Sequence, residues 1–328
     1  MDQRIYVLGL GNLGRLYAHA LAIPPKTPPI TLLLHRRNLL EDWDKAERTI
    51  TVSTKRVSNF LSDIPSTSTG YDVELIEKED TSGQRIQNLI LATKVSNVVE
   101  ALKPIAHRLD HNSIILFTQN GIPDLSTVSH RFFDQGKQFG VDCPTYLLAI
   151  TSHGVYSTGP FSSILAGHAN VSIGLAPYGA NKAISPQAQY LVDKITSSPL
   201  LNAEAVSQKE LQIRQMQKLA INSTINPLTV IFRRKNGDLF KHKPILELMR
   251  VLLSEIHEFT RRAALERPTS DVHLKFDAAE VEEHFSTAVL EQIVLSIAEK
   301  TAQNTSSMLQ DVLAGRETEI DYINGWFL

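Results

Sequence analysis

Gly9-Leu10-Gly11-Asn12-Leu13-Gly14 has the spacing G-x-G-x-x-G, directly after the apolar run Ile5-Tyr6-Val7-Leu8 and at the opening of a helical pattern, Leu13 to Ala22. The chemistry such a turn performs is to cradle the pyrophosphate of a dinucleotide. Gly9 permits the tight turn, Gly11 lets the backbone approach the phosphates, and Gly14 allows close packing of helix on sheet. Asn12 and Leu13 complete the loop, and the helix N-terminus adds free N–H groups and its positive dipole end. An ordinary glycine-rich turn is the alternative, and the strand–turn–helix placement argues against it. An NAD site usually shows Asp or Glu about 20 residues after the glycines, bonding the ribose 2′-hydroxyl. His35-Arg36-Arg37 stands near there instead. A guanidinium binds a 2′-phosphate bidentately where a carboxylate would repel it, so the sequence favours NADPH over NADH, with Arg36 as the ligand. Solvated surface arginines are the bland alternative.

Lys218, Asn222 and Asn226 recur every four residues in the run from Gln215 to Thr229, so a helix there stacks them on one face. Leu219, Ala220, Ile221 and Ile225 around them are apolar. Asparagine is a poor interior helix residue, and two in line with a lysine need a polar partner. A solvated face that happens to carry a lysine accounts for the same pattern. Pro227 biases Asn226 away from helical geometry and is expected to end the helix. Further on, Thr318-x-x-Asp321 has the form of a capping box, which places Glu319 in the first turn of a last helix. That helix would have about three turns before Leu328, too short to stand alone in water. Its residues Trp326, Phe327 and Leu328 are expected to leave apolar surface exposed.

The elements that must position these residues follow from periodicity. Ile30 to Leu34, Asn88 to Ala92, Ser113 to Phe117 and Tyr146 to Ile150 are strand-like, with helical segments near 95–107 and 124–133. Strands separated by helix-length connections pair in parallel, which gives a doubly wound, Rossmann-like α/β sheet. Lys94 and Asn120 lie just past the carboxyl ends of two of these strands, where ligands bind in open sheets and where a solvated head group is equally at home. Residues 151–175 suggest an antiparallel edge, and Ser62 to Gly70 a surface loop. Helices are expected over 207–226, 243–265 and 285–302. The boundary falls near Ala205, giving a dinucleotide-binding domain over 1–205 and a mainly α-helical domain over 206–328.

At 328 residues and 42% hydrophobic content, the chain is long enough for two globular domains. Its 33 basic and 35 acidic residues leave a net charge of −2, with no footprint for nucleic acid or an anionic membrane. No stretch approaches the roughly 20 apolar residues of a membrane span. The single cysteine, Cys143, excludes internal disulfides and cysteine-based zinc clusters, and with no leader-like N-terminus it suggests a cytoplasmic protein. The histidines, His107 and His111 among them, show no metal-ligand spacing.

The runs K-L-A-x-N-x-x-I-N-P-L-T and S-S-M-L-Q-D…E-I-D-Y-I-N-G, with the glycine motif and Gln119-Asn120-Gly121, closely resemble the ketopantoate (2-dehydropantoate 2-) reductases. The resemblance covers most of the chain from Arg4 onward. It implies NADPH-dependent reduction of a small 2-keto acid, ketopantoate, to pantoate in pantothenate and coenzyme A biosynthesis, without a metal. Lys218 would be the catalytic lysine and general acid, and Glu319 would hold the lysine or the substrate hydroxyl. Asn120, Asn222, Asn226 and Ser307 would orient the substrate. Gly9, Gly11, Asn12, Leu13, Gly14, Arg36, Lys94 and Asn120 would contact the cofactor. The family usually has Ala where Asn12 stands, and its members continue for a few dozen residues beyond the position of Leu328, so this chain is expected to be truncated there. A related reductase of another 2-keto acid and an inactive NADP(H)-binding module are the rival readings, and either a monomer or a homodimer is compatible.

Overall fold

The structure is a computed structural model that describes residues 3–24, 26–54, 64–76, 83–133, 143–178, 184–265 and 276–327. It divides into two compact units, Met1–Gln119 with Pro123–Leu211, and Asn120–Ile122 with Gln212–Leu328. The strands in chain order are β1 (Ile5–Leu8), β2 (Ile30–Leu34), β3 (Ile50–Thr54), β4 (Ile64–Ser68), β5 (Asp72–Leu75), β6 (Asn88–Leu91), β7 (Ile114–Phe117), β8 (Thr145–Thr151), β9 (Gly154–Gly159), β10 (Ser162–Gly167), β11 (Val171–Leu175) and β12 (Ala203–Ala205). All belong to the first unit, with the helices α1 (Asn12–Ala22), α2 (Arg37–Lys45), α3 (Val98–Leu102), α4 (Leu125–Phe132) and α5 (Pro186–Thr196).

The main sheet has the order β12-β11-β8-β7-β6-β1-β2-β5, parallel from β5 through β8, with β11 antiparallel to β8. The chain runs outward from β1 through β2 and resumes on its other side at β6, so the winding reverses beside β1. Both faces are covered, which is why these strands are continuous apolar runs. Ile5, Val7, Leu32 and Ile90 enter one core, while Tyr6, Leu8, Leu33 and Leu91 enter the other. This is the doubly wound α/β fold expected from sequence.

Two expectations are corrected here. Most of 64–70, expected as surface loop, is β4, which pairs antiparallel with β3 from Ile50↔Ser68 to Thr54↔Ile64, while residues 62 and 63 lie outside the described residues. Its proline, Pro65, is tolerated because β4 is the edge of a second sheet ordered β4-β3-β10-β9. Of the expected antiparallel edge, only β11 joins the main sheet, and β9 and β10 build this second one. Arg15 of α1 ties it down. The side chain is buried, and its guanidinium donates to the Gly159 carbonyl at 2.9 Å, the Ser162 carbonyl at 2.8 Å and Ser157 Oγ at 3.2 Å.

The second unit is helical: α6 (Gln208–Phe232, whose first turn lies in the first unit), α7 (Asn236–Leu239), α8 (Lys243–Leu265), α9 (Ala278–Phe285), α10 (Thr287–Lys300), α11 (Ser307–Leu313) and α12 (Ile320–Ile323). Ile245, Met249, Leu253 and Ile256 form the inner stripe of α8 and pack with Met216, Ile225 and Leu228 of α6. The helix expected over 285–302 is α10 alone. Ahead of it, α9 opens with a capping box between Asp277 and Glu280 that the sequence reading did not find.

Pro227 does not end α6. The helix continues to Phe232 with the proline inside it. An interior proline costs about 3 kcal/mol, partly because the carbonyl four residues back loses its N–H donor. That carbonyl belongs to Ser223, and it accepts from Asn324 Nδ2 at 2.8 Å, so a side chain from α12's end replaces the missing backbone donor. The capping box at Thr318 is absent too. Glu319 is itself the N-cap, and its side chain does not cap the helix, so Asp321 falls at the second helical position, too early to reach back. Instead of three turns, α12 is a single turn followed by a tighter 3₁₀ turn over Gly325–Phe327. Trp326 and Phe327 are half-buried and stack edge-on with Phe259 at 5.3 and 5.4 Å between ring centres. Leu328 lies outside the described residues.

Replacing Arg15 by Met should remove the clamp on the second sheet. Removing these three hydrogen bonds should lower stability by about 1 to 3 kcal/mol. A urea titration would show this as a lower midpoint at unchanged slope, and an unchanged midpoint would mean that the β9–β10 hairpin is held without Arg15.

Candidate active site

In the first unit the register sets three loops side by side. Leu8 pairs with Leu33 on one side and Leu91 on the other, so Gly9–Gly14, His35–Arg37 and Ala92–Lys94 leave the same edge of the sheet. Gly9 has φ +94, and a Cβ there would lie 2.6 Å from the Thr93 nitrogen. A Cβ on Gly14 would lie 1.9 Å from the Gly9 carbonyl oxygen, so α1 and β1 approach more closely than any side chain allows. At Gly11 a Cβ would meet nothing within 4 Å. Gly11 is also the N-cap of α1 and offers no side-chain cap, so the N–H groups of the first turn face the open side of the loop. Asn12 is turned aside, with Nδ2 donating to the Val155 carbonyl at 3.2 Å. Leu13 packs against the core below. Arg36 is exposed at the N-cap of α2. Burial, and after it the Arg36 charge, holds His35 below its ordinary pKa. Lys94 is half-buried and begins a 3₁₀ turn, Val95–Asn97.

In the second unit Lys218 and Asn120 meet: Lys218 Nζ donates to Asn120 Oδ1 at 3.0 Å across 98 positions of sequence. The bond fixes the amide, oxygen towards the lysine. Burial pushes the lysine down from 10.5 to about 8, and the Glu319 charge acts in the opposite sense. At Lys218 the folded state therefore holds less proton than the unfolded one between about pH 8 and 10.5. The cost of burying this cation is complete below pH 8 and is relieved as pH rises through that window.

Asn222 is half-buried one turn beyond Lys218, and Asn226 is buried a turn further. Ser307 is exposed as the first residue of α11. The preceding Ser306 is the N-cap, accepting from the Leu309 N–H at 3.1 Å, and its hydroxyl meets Thr229 Oγ1 at 2.6 Å. Thr229 in turn donates to the Asn226 carbonyl at 2.6 Å. A hydroxyl relay thus moors the start of α11 to the turn that carries Asn226. Leu219, Met308 and Ile323 form a small buried cluster that holds α11 and α12 on α6. The sequence reading missed Thr229, Ser306 and Asn324, whose only local signal is a proline inside a helical pattern with a hydroxyl two positions on.

The sequence profile described as ketopantoate reductase PanE/ApbA matches residues 5–178, and that described as ketopantoate reductase PanE/ApbA C terminal matches residues 210–328. The chain belongs to the ketopantoate reductase family. It is an oxidoreductase of that family. It is 31% identical to ketoisovalerate reductase BEA2 of Gibberella fujikuroi over the whole of this chain and 78% of that one. It is 28% identical to a probable 2-dehydropantoate 2-reductase of Schizosaccharomyces pombe, over 99% of this chain and 90% of the other. Among solved structures, a D-mandelate dehydrogenase with NADH and anilino(oxo)acetate shares the fold, with a TM-score of 0.72 at 20% identity over 99% of this chain and 90% of that chain. Among the described residues no helix is long and apolar enough to cross a membrane.

The glycine geometry separates two substitutions in this family member. Gly14→Ala forces a methyl into the Gly9 backbone and should cost about 1 to 3 kcal/mol, seen as a melting temperature lower by several degrees. Gly11→Ala enters open space and should melt within about a degree of the parent, since surface changes are usually within 0.5 kcal/mol. Equal losses from both would show that the β1–α1 approach is not as close as described.

Proposed function

We propose that this ketopantoate reductase family member is an NADPH-dependent reductase of a branched 2-keto acid, ketopantoate, with Lys218 as the general acid. The observation that carries this reading is the Lys218 ammonium, hydrogen-bonded to Asn120 and lowered to about 8 by burial. A general acid is most effective when its pKa lies near the working pH, and an unburied lysine is too weak an acid for that. The glycine loop supports the cofactor: the open space at Gly11 and the uncapped start of α1 fit a pyrophosphate. Arg36 would take the 2′-phosphate and Lys94, from the adjacent loop, the neighbouring phosphates or ribose. When bound, the nicotinamide supplies the hydride. As the carbonyl oxygen gains charge, Lys218 would stabilise it and then deliver the proton from Nζ. Asn120 orients the ammonium, Glu319 keeps it charged, and Asn222, Asn226 and Ser307 would position the substrate. In this reading residues up to about 205 serve the cofactor and those beyond serve the keto acid.

Ketoisovalerate is the second reading, favoured by the name of the Gibberella fujikuroi relative. It differs from ketopantoate in lacking the hydroxymethyl group. A site built to bond that hydroxyl can reject the analogue about 10⁴-fold, whereas an apolar pocket tolerates both. The polar ladder of Asn222 and Asn226 is the reason ketopantoate is placed first.

The decisive assay follows NADPH oxidation with each keto acid in turn, comparing kcat/KM. Turnover with neither would leave an NADP(H)-binding module. With the better substrate, Lys218→Ala should lower kcat about 10²- to 10⁴-fold. The reduction rate should fall as pH rises through about 8, where the ammonium is lost, while oxidation of the product alcohol should rise over the same interval. A flat profile across pH 8, or near-normal turnover without the lysine, would remove Lys218 from the chemistry.

Arg36→Glu should weaken NADPH binding far more than NADH binding, by about 1.5 to 3 kcal/mol, the worth of a charge-assisted hydrogen bond. Calorimetric titration with both cofactors reads the difference. An unchanged preference would move the 2′-phosphate elsewhere, with Arg37 the first residue to test.

A further inference from the structure

Glu319 acts on Lys218 from the start of a helix that cannot hold itself in place. Four residues make one turn, far below the length at which a helix persists alone. What fixes α12 is therefore tertiary. Ile323 is buried with Leu219, the neighbour of Lys218. Asn324, the C-cap, donates from Nδ2 to the Ser223 carbonyl at 2.8 Å. Ser223 lies one turn past Leu219, so both anchors fall on adjacent turns of α6. The carbonyl is free to accept because residue 227 is proline and has no N–H to return to it. Only the amide nitrogen can face a carbonyl oxygen, so the orientation of Asn324 is determined. Its Oδ1 is buried with no partner, which gives the side chain no second bond to offset loss of the first.

We propose that Asn324 is a positioning residue of the Lys218 site: through the carbonyl that Pro227 leaves open, it locks the Glu319 end of α12 to the turns of α6 that carry the lysine. The proposal rests on the reading of Lys218 as general acid. Asn324 touches no reacting atom. It acts through Glu319, the charged group that acts on the ammonium, while Asn120 contributes a neutral amide.

Two readouts separate positioning from mere stability. Asn324→Ala should lower kcat/KM for the keto acid about 10- to 100-fold, the cost of a small misplacement, and leave NADPH affinity unchanged. Because Glu319 raises the lysine's pKa, loosening it should move the alkaline limb of the pH profile to lower pH, by roughly half a unit or more. Asn324→Asp keeps the shape, turns an acceptor towards the carbonyl, and should be at least as severe. Pro227→Ala restores a backbone donor to Ser223, so Asn324→Ala should cost less stability in that background. The limb should stay displaced there, because the tether is still missing. This double variant also supplies a folded protein if Asn324→Ala alone does not fold. An unmoved limb in folded variants, with activity falling only as stability falls, overturns the proposal. Lys218→Ala, measured alongside, tells which idea failed. If it abolishes the limb while the Asn324 variants leave it in place, only the positioning role is lost. If it keeps the limb, the reading of Lys218 falls and the proposal with it.

Discussion

A charged amine in a poorly hydrated place is the constraint on which the second unit depends. Burial disfavours the ammonium, and it remains the dominant form at neutral pH because an amide oxygen accepts from it and a carboxylate acts on it. Neither partner is local. Asn120 comes from the loop after β7 and Glu319 from the end of the chain, so the site exists only when segments about a hundred residues apart on either side converge on one turn of α6. The rest of the helical unit can be understood as the scaffold for that convergence.

The scaffold contains a deliberate weakness. Lysine, two asparagines and a proline within ten residues make a poor helix interior by propensity alone. Stability comes instead from the apolar stripes of α6 and α8, where Met216, Ile225 and Leu228 meet Met249 and Leu253. With that core in place, the weak stretch can spend its backbone groups on neighbours. The Ser223 carbonyl holds α12, and the Asn226 carbonyl, through Thr229 and Ser306, holds the start of α11. A better helix, with an N–H at position 227, would satisfy the Ser223 carbonyl internally and deprive α12 of this anchor.

What the sequence made legible was what depends on neighbours in the chain. β1, β2, β6 and β7 are apolar runs because both faces of a parallel sheet are covered, and the strand–glycine–helix order can be read without knowing what packs on it. The i, i+4 alignment of Lys218, Asn222 and Asn226 was equally local. The failures share a cause. Pro227 was expected to end α6, and it does not because Asn324 repairs the damage from 97 positions away. Pro65-Ser66-Thr67-Ser68 looked like loop, and it is strand because Ile50–Thr54 is there to pair with it. The capping box at Thr318 had the right letters one residue too early. The Asn120–Lys218 bond was invisible for the same reason, since spacing says nothing about contacts across 98 residues.

Under the proposed function the two units would answer different physical demands, which would account for site residues that differ in kind. In the proposed reductase a pyrophosphate would ask for backbone N–H groups at close range, and the first unit offers glycines for it: backbone contact excludes a side chain at Gly9 and Gly14, and the space beside Gly11 is open. That geometry is rigid, because it is set by strand register and helix–sheet contact. A keto group that gains charge asks for a proton donor whose acidity matches its surroundings, and acidity is set by burial and by the position of other charges. It is therefore tunable by small movements, and a one-turn helix carrying the carboxylate is the element best suited to make them. Under the positioning role proposed for Asn324, strength of anchoring at α12 and acidity of Lys218 are one property, and a chain that stiffened the first would shift the second.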